Sequence, residues 1–198
     1  FLQILVKVLR KEQREFKASF SRIEDFLKDI QVCLTFSKLN SENLDRVVQL
    51  FQKTNQFNLT TRRHREDDLK QLERNGGQIY SISYEDTFGS QGIISVIALV
   101  QKPDALFIES WLMSCRVLNR TVEQAVFEFI LKKANGKQVN GEYIPTEKNG
   151  LVQSLFKTLG FEKNIFDREN NPAKDKWIYA NYDLKDSSMK HYASVKEV

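Results

Sequence analysis

The chain has 198 residues, 41% of them apolar and fourteen of them phenylalanine, which suits one packed α/β domain and excludes a disordered or fibrous chain. Its formal charge of +4 and pI near 9.0 are mildly basic, but Lys and Arg alternate with Asp and Glu; no stripe for nucleic acid forms, and an acidic partner is expected instead. Cys33 and Cys115 lie far apart without metal-ligand spacing, which gives neither a metal site nor a disulfide framework and fits a reducing cytoplasm.

Residues 2–20 read as a helical lead-in, too short in its apolar part to span a bilayer and without a signal-peptide cleavage pattern, so no membrane partner is expected. The chain opens on Phe1 rather than methionine, which reads as a piece of a longer protein. A second helix is expected over 21–30, where Ser21 and Glu24 have capping-box spacing. Val32, Leu34 and Phe36 alternate with polar neighbours as a half-buried strand over 31–36 does. Leu44, Val47, Val48, Leu50 and Phe51 fall at helical spacing behind Ser41, and residues 65–75 place three acids in a first helical turn.

Three β-rich runs follow over 77–86, 91–100 and 105–114, the first two joined by a hairpin-like turn. A helix over 121–135, a strand near 141–145, a helix over 150–160 and a strand over 176–184 complete the domain, and residues 185–198 read as a loosely held polar tail. This order implies one mixed, mostly antiparallel twisted sheet with helices on both faces.

Several residues stand out chemically. Glu109 interrupts an apolar strand, where a carboxylate is costly unless paired or protonated. Desolvation would raise its pKa toward that of a general base, and an ion pair with Arg62 or Arg63 is the structural alternative. Cys115, at a strand end beside Arg116, is a candidate nucleophile or a plain packed thiol. Asn55, Asn58 and Thr60 offer neutral hydrogen bonds suited to a polar acyl unit, or to a loop satisfying itself; Arg62 and Arg63 suit an anion clamp or a docking patch. Asn149 is expected to cap the helix after it and is grouped with the candidate cofactor-binding residues, Tyr143 is a candidate general acid or a packing tyrosine, and His64 and His191 have no obvious partner.

The stretches "QKTNQFNLTTRRH" (52–64), "IESWLMSCRVLNRTVEQA" (108–125) and "GEYIPTEKNGLVQSLFKTLGF" (141–161) resemble the C-terminal half of FkbH-like proteins, over roughly residues 20–182. The resemblance implies an acyltransferase-like domain of the GNAT (GCN5-related N-acetyltransferase) fold. It also implies a role in loading a glyceryl-type unit onto the phosphopantetheine of an acyl carrier protein, in methoxymalonyl and polyketide synthesis. Such proteins carry an upstream phosphatase-like domain as partner; no Asp-x-Asp-x-Thr motif occurs in this chain. The fold implies a strand at 106–114 that splays from the next, so that its backbone, through Met113 and Ser114, bonds a pantetheine arm. The turn after it holds phosphate, and here Asn119 and Thr121 stand at positions that are glycine in the family. Asn tolerates left-handed backbone, whereas β-branched Thr is penalised there and suits an N-cap better. Coenzyme A is therefore the less favoured cofactor, and Arg116 and Arg120 are expected to meet the single phosphate of a carrier-bound arm. Phe156 occupies the place of a family tyrosine, so no phenolic proton is available there. A non-catalytic carrier-docking module and a coenzyme A dependent N-acyltransferase are the alternative functions.

Overall fold

The computed structural model describes residues 23–163, 175–179 and 190–198. The order is α1 (Ile23–Asp29), β1 (Cys33–Lys38), α2 (Leu44–Lys53), α3 (Glu66–Arg74), β2 (Gly77–Asp86), β3 (Gly89–Gln101), β4 (Ala105–Met113), α4 (Val122–Ala134), β5 (Gln138–Tyr143), α5 (Leu155–Thr158), β6 (Glu162–Lys163), β7 (Asp175–Tyr179) and β8 (Ser194–Glu197). The lead-in helix, Ser21 of the expected capping box and residues 180–184 of the last expected strand lie outside the described residues.

One eight-stranded sheet runs in the order β6-β7-β5-β4-β3-β2-β1-β8. The meander β1 to β4 is antiparallel, β4–β5 and β1–β8 are parallel, and β7 pairs antiparallel with β5 and β6. The mixed, mostly antiparallel sheet expected from the element order is therefore present, and helices cover both its faces. Phe26 and Leu27 of α1, the apolar face of α4 and Phe156 of α5 pack on one side. Val47, Leu50 and Phe51 of α2, with Leu69 of α3, pack on the other against Ile79, Val96, Ala98 and Leu112. Burying a side chain of this size stabilises by about 1.5–3 kcal/mol, which is why the alternation Val32, Leu34, Phe36 fixes the register of β1.

Several boundaries differ from the sequence expectation. Asn43, not Ser41, precedes α2; its amide side chain bonds the Lys38 carbonyl at 2.8 Å and closes the loop from β1. Residues 150–160 form a 3-10 turn and the single-turn α5 rather than one helix. Residues 194–197, expected in a loose tail, pair with β1 from Cys33↔Ser194 to Phe36↔Glu197. Among the described residues no helix is long and apolar enough to cross a membrane.

Candidate functional site between the diverging strands

The pairing of β4 with β5 runs from Ala105↔Gln138 to Ile108↔Gly141 and then stops, although β4 continues to Met113 and β5 to Tyr143. On its other edge β4 pairs Ser110 with Ala98 and Ile108 with Leu99, which leaves Glu109 as the extra residue of a bulge. A bulge bends its strand and increases the local twist, and here it sits where the two neighbours part. The wedge expected from the resemblance is thus present.

The wedge is filled by the chain itself. The Leu59 amide donates to the Trp111 carbonyl at 3.1 Å, Met113 donates to Phe57 at 3.0 Å, and Ile144 donates to Leu59 at 2.9 Å. Asn58 forms an antiparallel bridge with Leu112. Residues 57–59 thus act as a short strand between β4 and the end of β5. Met113 is therefore not offered to a pantetheine arm as expected, because its N–H is already bonded, and the Ser114 N–H is turned to Ile94 on the opposite edge at 2.7 Å.

Asn149 holds this inserted segment. Fully buried, it donates to the carbonyls of Asn58 at 3.0 Å and Ile144 at 2.9 Å, and accepts from the Thr146 amide at 2.8 Å and the Tyr143 hydroxyl at 3.3 Å. It makes no side-chain cap for the following turn, contrary to expectation; its amide is used up inside the wedge. Tyr143 is buried and packs while bonding Asn149, the packing alternative rather than the general acid. Phe156 is buried against Gly141 of β5. The Asn58 side chain accepts from the Thr61 amide at 2.9 Å and donates to Thr54 at 3.3 Å, so Asn58 satisfies its own loop, whereas the buried Thr60 hydroxyl reaches the Glu109 carbonyl and Ser110 Oγ of β4 at 3.5 Å.

Glu109 lies at the bulge within a polar cluster. His64 Nε2 is 3.1 Å from both carboxylate oxygens, Ser110 Oγ donates at 2.6 Å, and Arg62 Nη1 is 3.2 Å away. Arg62 also donates to Glu142 at 2.7 Å. Burial alone pushes the Glu109 carboxyl up, but the hydrogen bonds from His64 and Ser110 and the charges of His64 and Arg62 outweigh it and hold it below the usual carboxylate value. The expectation of a raised pKa is thus overturned and the ion-pair alternative with Arg62 is observed. Arg63 donates to the Phe51 and Thr54 carbonyls at the end of α2 and to Asn55, so it closes a helix end instead of standing open as a clamp.

The turn after β4 holds two residues in left-handed backbone. Asn119 has φ +62° and Thr121 φ +56°, both left-handed, so the chain adopts at these positions the conformation for which glycine is the usual residue. Thr121 precedes α4 but makes no side-chain cap; its hydroxyl bonds the Arg120 carbonyl at 2.7 Å, because the left-handed backbone turns it away from the helix amides. Arg120 pairs with the fully buried Asp86 carboxylate at 2.7 Å and lies over the Tyr84 ring, so it is not available to phosphate as expected. Arg116 bonds Ser114 Oγ at 3.2 Å and faces the other side of the sheet.

Two recesses meet at Phe57. On the α4 side, an apolar groove of about 490 Å³ runs between the turn and α5, past Leu118, Thr121, Leu151 and Leu155. Glu123 lines it and accepts from its own backbone amide; burial pushes its carboxyl up. On the α2 side, a recess of about 740 Å³ is lined by Asn55, Phe57, Met113, Ser114, Cys115 and Arg116, among others. The exposed Cys115 thiol is therefore on a recess wall. Glu123 is the one charged residue among the groove's lining, and Phe57 is one of its walls.

Sequence reasoning missed the roles of His64, Asp86, Glu123 and Glu142. His64 had a signal in its position two residues after Arg62, but its partner Glu109 is 45 residues away and only the fold joins them.

No protein-family model matches the chain and no curated protein matches it. Among solved structures, the chain is similar to the ribosomal-protein-S18-alanine N-acetyltransferase from Escherichia coli, with 12% identity, 73% of this chain and 90% of that chain covered, and a TM-score of 0.53. It is likewise similar to the GNAT domain of S. lividans PAT (13% identity, 73% and 88% covered, TM-score 0.53) and to an acetyltransferase from Thermus thermophilus (11%, 74% and 96%, TM-score 0.55). The chain has the GNAT acetyltransferase fold. At this identity the likeness extends to the fold and not to substrate.

Proposed function

We propose that this domain loads or transfers a glyceryl-type acyl unit onto the phosphopantetheine thiol of an acyl carrier protein, in the methoxymalonyl or polyketide role of FkbH-like proteins, in the cytoplasm beside a phosphatase-like partner domain. The observation that carries the reading is the groove between the turn after β4 and α5, which shares Phe57 with a second recess on the opposite face; the wedge between β4 and β5 is itself filled by residues 57–59. Leu118, Leu151 and Leu155 give the arm apolar walls. A carrier-bound arm keeps its one phosphate near the carrier, whereas coenzyme A brings a pyrophosphate toward Glu123 with Arg120 already paired to Asp86. Glu109, held ionised, orients His64, and the pair is a candidate positioning element beside the bulge of β4. Cys115 is the candidate acyl acceptor on the wall of the α2-side recess.

Incubation with an acylated carrier protein tests this, followed by intact-mass analysis of wild type, Cys115→Ser and His64→Ala. Acyl transfer that both substitutions slow supports the reading. A carrier that binds while no variant, wild type included, moves the acyl group leaves only a docking module. A second reading, a coenzyme A dependent N-acyltransferase, is favoured by the left-handed Asn119 and Thr121 and by the fold likeness. Micromolar binding of acetyl-coenzyme A in calorimetry selects it.

A further inference from the structure

The α2-side recess carries more cations than carboxylates on its wall. Arg46 and Lys53 of α2, Arg116 of the turn and Lys148 after β5 all line it, against one carboxylate, Glu147. Several other cations of the described residues do meet a carboxylate: Arg62 with Glu109 and Glu142, Lys70 with Glu66, Arg120 with Asp86, Lys132 with Glu128, Lys133 with Glu197. The four recess cations make no ion pair with a carboxylate of the described residues. Arg46 bonds the Gln49 side chain and reaches the Ile93 carbonyl at 3.5 Å, and Arg116 bonds Ser114 Oγ, all neutral acceptors that leave the charges unbalanced.

Like charges converging on a concave surface repel one another, and that repulsion is relieved by an anion placed between them. The concavity focuses the field more than a flat basic face does. A volume of about 740 Å³ is that of a small-molecule site, and the cations come from three separate parts of the chain around it. We propose that the α2-side recess binds a small, multiply charged anion, a phosphate- or polycarboxylate-bearing metabolite, held by Arg46, Lys53, Arg116 and Lys148. The proposal rests on the acyl-transfer reading only for the site's place beside Cys115; the binding itself follows from the recess.

The test is calorimetric titration of the full chain with inorganic pyrophosphate and, separately, with citrate, at low and at physiological ionic strength. Variants are Lys53→Gln, Arg116→Gln and their double, with Lys132→Gln on α4 as the control. The expected result is saturable binding of at least one anion, weakened about tenfold or more in the double variant and by added salt, and unchanged in the control. Pyrophosphate alone binding identifies a phosphate ligand, and citrate binding equally well identifies charge rather than phosphate as the determinant; both support the site. No saturable binding, or binding the same in wild type and double variant, overturns it. So does an acidic carrier protein binding through Lys53 and Arg116 while neither small anion binds. Because no acyl transfer is read, failure here is distinct from failure of the acyl-transfer assay.

Discussion

The Leu59 amide donates to the Trp111 carbonyl at 3.1 Å, while the Leu59 carbonyl accepts from Ile144, so one residue bonds both sides of the gap between β4 and the end of β5. Asn149 locks that arrangement through Asn58 and Ile144. Asn149→Ala leaves buried carbonyls and the Thr146 amide without this partner and is expected to cost about 2–4 kcal/mol in urea denaturation. Hydrogen exchange at the Leu59 and Ile144 amides should speed up while β2 and β3 stay protected. A loss under about 0.5 kcal/mol would show that the side chain does not hold the segment.

Asp86 and Arg120 form a buried pair, so removing one partner is expected to hurt more than removing both. Asp86→Leu alone should cost about 3–5 kcal/mol, and adding Arg120→Met should recover most of it. Chemical denaturation of the two single variants and the double checks this. Equal losses in single and double variants would contradict the pairing.

Glu109 binds its proton less readily in the folded chain than in the unfolded one. Its contribution is therefore fully present above the ordinary carboxylate range, near ~4.3, and is lost as pH falls through the lower folded value. Glu109→Gln is expected to be less stable than wild type by roughly 1–3 kcal/mol at neutral pH, with the gap closing below about pH 4. Urea midpoints measured across that range decide it; a gap that does not narrow in acid would mean the carboxylate is not ionised by its neighbours.

A methyl group built on Gly141 would come within 2.4 Å of the Phe156 ring. Gly141→Ala should lose about 1–3 kcal/mol by overpacking, and Phe156→Leu in the same chain should restore part of it. Thermal unfolding of the single and double variants provides the comparison, and additive losses would deny the contact.

Thr121 holds a left-handed backbone at φ +56°. Thr121→Gly is expected to stabilise by up to about 1 kcal/mol and to leave the groove wider at its mouth. A destabilised variant would show that the threonine hydroxyl contributes more than the backbone strain removes.

Period-2 and helical patterns located β1, β2, α3 and α4 closely, because each has one apolar face and a turn residue at its ends. β8 was not legible: "SVKE" has little apolar content, and it is a strand because β1 offers it an edge. The divergence of β4 from β5 followed from the family resemblance, not from composition, and the bulge at Glu109 was not foreseen. What filled the wedge did not, because "NQFNLTT" has no strand pattern and is extended only where Trp111, Met113 and Ile144 supply partners. Glu109 was singled out correctly as a costly buried carboxylate. Its pKa shift had the opposite sign because His64 and Ser110, invisible as partners in the sequence, supply more than desolvation removes.

The pairing of Ser194–Glu197 beside β1 has a colloidal consequence. Without it, the amides and carbonyls along the outer side of Cys33–Lys38 would be open to strands of other molecules, the usual start of edge-to-edge association. Lys196 and Glu197 put opposite charges on that rim, so these four residues shield the meander from self-association as well as extend it.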